Sequence, residues 1–378
     1  MSPVRQEDAS RPLTIIELCL SNGCGGLEHY AAELVPALAA RGHRLIVVAQ
    51  EDNEFGNRAS QPVALTLSHH RYLRWLGARR LGTLAREVDA DVIHIHRSAD
   101  LPLAVLAKRR ANNRPALVYS RHMLITRDRQ QSPAHRYMFR RVDRLLPITE
   151  QIAEVARTAL PIAPERIQPL VPGVAPAAVS ADCEQIRPPG CNFVVGCFSR
   201  VEPAKGQHEL IEAIAILRGH GIAAGGVFAG PVMNPAYNEE LRGRIKQFGL
   251  GEFIRFLGVL PDARPAMPCC DAVAMPSTGE ALGLVMVEAM LMGVPAVASA
   301  AGGALEFIRN GETGLTYPVG DTSALAARLE RLATDPAFAQ ALARAGREAA
   351  AERFDRQRHL AHLEAIFRAA VAERTAKR

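Results

Sequence analysis

The chain has no apolar run approaching the roughly 20 residues that a membrane-spanning helix needs. Its opening, MSPVRQEDASRP, lacks the hydrophobic core of an export signal, so a cytoplasmic location is expected. Its seven cysteines are scattered, at 19, 24, 183, 191, 197, 269 and 270, and none forms a C-x-x-C pair. An odd, dispersed set argues against a disulfide framework or a zinc knuckle and fits a reducing compartment. There is no carboxylate cluster resembling a magnesium site, no solenoid repeat and no nucleic-acid-binding motif. Aromatics make up 5% of the chain, with one tryptophan, Trp75. What remains is a 378-residue chain that is 48% hydrophobic, enough for two globular domains of ordinary size.

Positive charge is unevenly spread. Residues 1–187 hold 25 Lys and Arg against 19 Asp and Glu, whereas residues 188–378 hold 20 of each. The excess is nearly all arginine and gathers in HHRYLRWLGARR (69–80), KRR (108–110) and RYMFRRVDR (136–144). One reading of such runs is plain solvated surface. Here Arg71, Arg74, Arg79 and Arg80 surround Tyr72 and Trp75, and a basic segment with aromatic anchors suits an anionic membrane surface.

Short β-branched runs alternate with amphipathic ones. Strands are expected at 13–19, 44–49, 91–96, 116–120 and 144–148, then at 193–198, 224–229, 253–258, 272–276 and 295–300. Helical periodicity separates them, at 27–40, 72–87, 100–110 and 149–159, then at 205–219, 236–248, 283–292 and 322–334. This alternation predicts an α/β fold of two doubly wound parallel sheets. The Pro- and Ala-rich stretch 172–190 reads as a connection between the two blocks, and 356–373 as a further helix. Ligands of such sheets sit at the carboxyl ends of the strands, so chemistry is sought in the loops that follow them.

Four loops stand out. NGCGGLEHY (22–30) joins a strand to a helix, yet it lacks the last glycine of a dinucleotide fingerprint. PSTGEALGLVMVEAMLMGVPAVAS (276–299) is the densest signal. Gly283 is expected to start a helix whose first N–H groups, on Gly283, Leu284 and Val285, favour phosphate. Glu280 precedes that helix mouth and Glu288 follows it. Two carboxylates beside a phosphate cradle suit a nucleotide sugar, with hydroxyls on both sides of its diphosphate. In FSRVEPAKGQHEL (198–210), Arg200 and Lys205 are the cations for that diphosphate, without a metal. In DVIHIHRSAD (91–100), His94 and His96 alternate onto one strand face, with no third metal ligand evident nearby. His122, ending the next strand, is the weaker candidate.

Together and in this order, these motifs resemble glycosyltransferase family 4, the retaining enzymes of the GT-B fold. The likeness runs through GGLEHYAAELVPALAARGH, DVIHIH, SRVEPAKG, FLGVLPD, the E-x7-E segment and GGALEFIRNGETGL. It implies two Rossmann-like domains facing a cleft. Residues 1–175 would form the acceptor-side domain, 176–190 the linker and 191–355 the nucleotide-sugar-binding domain, with 356–378 a C-terminal helix packing back on the first domain. It also implies roles. Gly25 and Gly26 match the loop that reaches toward donor phosphate and acceptor. Arg200 and Lys205 match the diphosphate pair, Glu280 the acid that holds the transferred sugar, and Glu288 the acid on the ribose. His96 matches a histidine of the sugar and acceptor pocket, and the backbone from Leu257 to Val259 faces the base.

The resemblance implies a metal-independent hexosyltransferase with no cofactor beyond its UDP- or GDP-linked co-substrate. The acceptor would be a glycan or lipid-linked glycan, as in lipopolysaccharide biosynthesis, at the inner face of the plasma membrane and without nucleic acid. The alternatives are a sugar-nucleotide epimerase or a phosphorylase on the same scaffold, or a catalytically silent nucleotide-sugar-binding protein. A glycosidase pair is disfavoured because the carboxylates sit at a phosphate cradle. Two departures carry structural expectations. Pro172 stands where the family often has Asn, which touches the hinge, and Pro36 predicts a kink or break in the first helix.

Overall fold

The computed structural model describes residues 11–23, 25–67, 74–125, 132–175, 177 and 181–376. Arg71 and Tyr72 of the basic segment lie outside them. The chain forms two compact units, Met1–Gly173 with Arg356–Arg378, and Val174–Asp355.

The first unit runs β1 (Thr14–Cys19), α1 (Gly26–Ala39), β2 (Arg44–Ala49), α2 (Glu54–Arg58), β3 (Val63–Thr66), α3 (Arg74–Glu87), β4 (Val92–Ile95), α4 (Leu101–Arg110), β5 (Ala116–Arg121), α5 (Pro133–Phe139), β6 (Arg144–Pro147) and α6 (Glu150–Ala159). Its six strands are parallel, in the order β3-β2-β1-β4-β5-β6. Alternation along β1 assigns the faces. Ile16 and Leu18 join the core with Leu81, Ala85, Leu103 and Ala104 of α3 and α4. Ile15 and Cys19 join Tyr30, Leu34 and Val35 of α1 on the other side. Leu360, Leu363, Phe367 and Ala370 of the last helix, α13 (Arg356–Ala376), complete that second face. The expected return of the C-terminal helix to the first sheet is thus observed. Arg144 pairs with Glu373, Arg41 with Glu364 and Arg374 with Asp143, fixing α13 along its length.

The second unit runs α7 (Cys183–Ile186), β7 (Phe193–Phe198), α8 (Gln207–Gly219), β8 (Ala224–Ala229), α9 (Pro235–Gln247), β9 (Ile254–Gly258), β10 (Ala272–Met275), α10 (Leu284–Leu291), β11 (Ala296–Ser299), β12 (Leu315–Tyr317), α11 (Thr322–Thr334) and α12 (Pro336–Arg353). Its strand order, β12-β11-β10-β7-β8-β9, has the same winding as the first sheet. In each sheet the order reverses between two neighbours, β1 and β4 or β7 and β10. Loops leaving those strands diverge there and open a crevice at the carboxyl edge.

Some expectations are corrected. A disulfide joins Cys183 to Cys269, although the scattered cysteines argued against such bonding. It links positions 86 apart in sequence, which no local spacing reveals. The stretch read as a plain connection is partly ordered on the second unit. Cys183 is bonded there, and Arg187 meets the Asp271 carboxylate at 2.9 Å and the Cys269 carbonyl. Pro36 does not break α1. It lies close enough to the end that the helix loses one internal bond and continues to Ala39. Beyond the expected elements, the edge strands β3 and β12 and the helices α2, α5, α7 and α12 complete the layers.

Candidate active site

At the β7–β10 switch point the second unit gathers two of its candidate side chains and a third, Ser277, that the sequence did not single out. β7 ends at Phe198, and the chain turns through a short 3-10 segment, Pro203–Lys205, before α8. β10 ends at Met275, and the loop 276–283 leads into α10. Lys205 Nζ lies 2.6 Å from Glu280 Oε1, with both side chains largely buried. Ser277, 1% exposed, donates its hydroxyl to the same oxygen at 2.9 Å. Glu280 Oε1 therefore carries two donors.

The Glu280 loop is held by backbone as much as by side chains. Ser299 Oγ, at the end of β11, donates to the Ser277 carbonyl, and Thr278 N donates to Ala204 O at 3.0 Å. Gly206 caps α8 at φ +65°, and a Cβ there would sit 2.0 Å from the Pro276 carbonyl. Gly302 has φ +62°, and its Cβ would sit 1.9 Å from the Glu280 carbonyl. Only glycine satisfies both the left-handed backbone and that close approach.

Gly283 is the capping residue of α10 and Leu284 its first helical residue, one position later than the sequence pattern suggests. The N–H groups of Leu284 and Val285 head the helix, where the backbone has no partner of its own and the dipole favours an anion. Glu288, half-buried, is one turn further on the same face as Leu284. Arg200 is exposed in the loop after β7 and pairs with Glu202 at 2.9 Å. Leu257 and Val259 lie at the carboxyl end of β9, two strands away from β7, and Val259 is exposed.

Gly25, Gly26 and His96 belong to the first unit. Gly25 caps α1 in an extended conformation. The loop ahead of it is pinned by Asn53, whose amide donates to the Cys19 and Ser21 carbonyls at 3.0 Å each, and by Asp100, which accepts from Leu20 N. Ser21 donates to the buried carboxylate of Glu28, which packs under Gly23. The underside of this glycine loop is therefore already occupied by the Glu28 side chain.

His94 and His96 share a face of β4 with Glu17 of β1, which lies opposite His94 in register. Glu17 is the third ligand-type residue that the sequence did not reveal; the donor atoms of the three lie within 4.8 Å of one another. Their geometry is that of hydrogen bonds. One carboxylate oxygen takes His94 Nδ1 at 3.0 Å and the other takes His96 Nε2 at 2.9 Å. Burial pushes the Glu17 pKa up, but the attraction of His94 and the hydrogen bonds from both histidines outweigh it and hold the carboxyl at about 2. Glu17 is then an acceptor only, and His96 donates from Nε2. Burial, with repulsion from His94, lowers the His96 pKa to about 4, so its Nδ1 keeps a lone pair, facing His122 Nε2 at 3.4 Å. The network extends further. His94 Nε2 meets Ser120 Oγ, and Tyr30 on α1 donates to His359 of α13, whose Nδ1 is taken by the Val171 carbonyl. His96 has a fully buried side chain with both ring nitrogens engaged, so it serves this internal network first.

Sequence comparison gives these features a context. Residues 182–349 match the family of glycosyl transferases group 1, and residues 24–177 match glycosyltransferase family 4. A D-inositol 3-phosphate glycosyltransferase of Jonesia denitrificans is 28% identical over 69% of this chain and 61% of its own length. The lipopolysaccharide core biosynthesis glycosyltransferase LpsE of Rhizobium meliloti is 30% identical over 47% of this chain. The matched part spans about half of that relative, 51%. Among solved structures, Anabaena HepE in complex with UDP and glucose superposes with a TM-score of 0.79 at 25% identity, covering 93% of this chain and 98% of that one. The Lys205–Glu280 cluster lies inside the matched segment of the second unit, at the strand edge where this winding places ligands, and the two sheets repeat that winding. The two matched segments together span most of the chain, which belongs to glycosyltransferase family 4 and has the GT-B fold.

Proposed function

We propose that the chain is a retaining hexosyltransferase acting on a UDP- or GDP-linked sugar donor. It passes the sugar to a hydroxyl of a glycan or lipid-linked glycan of the cell envelope. The observation that carries this reading is the Lys205–Glu280–Ser277 cluster at the switch point of the second sheet. An ammonium and a carboxylate are held together there, with Glu280 in the loop that leads into α10. Such a set binds a sugar hydroxyl on its acid and a phosphate on its base.

In this scheme Lys205, Arg200 and the N–H groups of Leu284 and Val285 take up charge as the diphosphate leaves. Glu280, with Oε1 already held by two donors, offers Oε2 to a hydroxyl of the transferred sugar. Glu288 holds the ribose, and the backbone from Leu257 to Val259 faces the base. The acceptor hydroxyl attacks from the side the diphosphate leaves, and its proton passes to the departing phosphate. The anomeric configuration is kept, and no step calls on a metal. The UDP and UDP-glucose complexes of Anabaena HepE support a uridine donor. The lipopolysaccharide relatives support an envelope glycan as acceptor, which would bring the chain to the inner face of the plasma membrane.

The test is thermal unfolding with UDP, GDP, ADP and NAD, each with magnesium or chelator. A ligand at a hundred times its dissociation constant stabilises the fold by about 2.7 kcal/mol. A shift with one nucleoside diphosphate, unchanged by chelator and weakened in Glu288→Ala, supports the donor site and names its base. A shift with NAD alone overturns the proposal. NMR of the transfer product reads retention directly. Conversion of the nucleotide sugar without acceptor marks an epimerase instead.

A further inference from the structure

One face of the first unit has a composition that the fold does not need. Helix α3 turns Ala78, Leu81 and Ala85 into the core. Its opposite side presents Trp75, 55% exposed, and Leu76, 49% exposed, followed one turn later by Arg79 and Arg80, both exposed. The chain's one tryptophan thus stands in solvent beside a leucine, ahead of paired arginines. An apolar pair of this kind on a helix already packed on its other side calls for a partner.

The feature continues onto the neighbouring helices. α3 packs along α4, and α4 touches α5. The Arg110 guanidinium stands 5.0 Å over the Trp75 ring. Its neighbour Arg109 stands 5.9 Å over the Tyr137 ring, which Arg141 covers from 3.6 Å. An alternation of arginine and aromatic rings therefore crosses three helices. These helices hold eight Lys and Arg against one acid, Glu87. One of the eight, Lys108, is buried against Asp143 and takes no part in the surface. Among the described side chains, Arg79, Arg80, Arg109 and Arg110 are exposed and set a positive field around the ring and leucine.

We infer that the outer face of α3, α4 and α5 docks on an anionic lipid bilayer. Trp75 and Leu76 enter the boundary between headgroups and acyl chains, and Arg79, Arg80, Arg109 and Arg110 meet lipid phosphates. Amphipathic rings with guanidinium partners match that boundary, where one end of the contact is apolar and the other charged. A nucleic acid would use the arginines but leave Leu76 unaccounted for. The inference names the surface by which the proposed lipid-linked acceptor would be reached. It rests on that reading for its purpose only, because the surface chemistry stands without the donor site.

Trp75 is its own reporter, since no other tryptophan contributes to the emission. The intact chain is mixed with phosphatidylcholine vesicles, with and without phosphatidylglycerol, at low and high salt. The expected result is co-sedimentation with the phosphatidylglycerol vesicles only, a blue shift of tryptophan emission, and loss of both at high salt. Each arginine near the surface accounts for roughly a five-fold change in partition, so an Arg79→Glu, Arg80→Glu double variant loses about 25-fold or more. That variant keeps its melting temperature and its stabilisation by nucleoside diphosphate, which separates the surface from the donor site. Equal binding to both vesicle types, unshifted emission, or unchanged partition of the double variant would overturn the inference. So would binding to duplex DNA as tight as to phosphatidylglycerol with the emission unmoved, which would make the face a general polyanion site.

Discussion

Lys205 Nζ and Glu280 Oε1 lie 2.6 Å apart across the β7–β10 switch point, joined by a pair of loops 75 positions apart in sequence. In the proposed scheme the lysine held by this pair takes up charge on the leaving diphosphate. Lys205→Ala is expected to lower kcat by a factor on the order of 10²–10³ while the melting temperature stays within a few degrees. Turnover near that of the unsubstituted chain would remove the diphosphate role from this loop.

Ser277 was not singled out by the sequence, yet its hydroxyl shares Glu280 Oε1 with Lys205. Ser277→Ala frees the carboxylate to rotate. A hydrogen bond to a charged group is worth about 1.5–3 kcal/mol, so kcat/KM for the nucleotide sugar should fall about ten-fold or more. Affinity for the nucleoside diphosphate alone should not change, and Ser277→Thr should restore most of the loss. Equal losses for sugar-bearing and sugar-free nucleotides would contradict a role through Glu280.

Gly302 supports the same loop from below. A methyl group at this left-handed position meets the Glu280 carbonyl at 1.9 Å, and a backbone carbonyl cannot swing aside as a flexible side chain can. Gly302→Ala should destabilise the fold by at least about 2 kcal/mol in urea unfolding and reduce transfer as well. A fully stable but inactive variant would mean that the loop had moved without strain.

Acid should weaken the first unit in two steps. Burial holds His96 and His359 neutral in the fold, each with a pKa of about 4 against an ordinary value of 6.5. Between those values the unfolded chain binds protons that the folded chain refuses, so stability falls as pH falls through this window. The slope is at most about 1.4 kcal/mol per pH unit for each such group. Glu17 acts lower. Its stabilising ionisation is fully present above its unfolded value of 4.5 and is lost as pH falls toward its folded value of about 2. Urea midpoints measured from neutral pH downward should therefore decline before any ordinary carboxylate titrates, and a flat profile above pH ~5 would show that these imidazoles are not held neutral.

The alternation of β-branched and amphipathic runs made both parallel sheets legible, whereas the return of the last helix came from the family resemblance alone. What stayed hidden lacked a pattern long enough to read. β3 is four residues of half-exposed edge and β12 only three. Glu17 is a single polar letter in LTIIELCL; it becomes the partner of His94 and His96 only because β1 and β4 are neighbours in register. Lys205 and Glu280 were legible as motif residues, but their contact was not, since it depends on β7 lying beside β10. Ser277 stood inside a quoted motif without a distinguishing spacing, and the bond between Cys183 and Cys269 had none at all.

The last helix also bears on how the molecule comes to exist. When a ribosome has delivered residue 355, every strand of the first sheet has been made, but Leu360, Leu363, Phe367 and Ala370 have not. The first half of the chain must therefore wait, with an apolar face uncovered, while the whole of the second unit is translated. Its final assembly is gated by the synthesis of α13, and a chain cut short before that helix leaves a first half that attracts chaperones or aggregates.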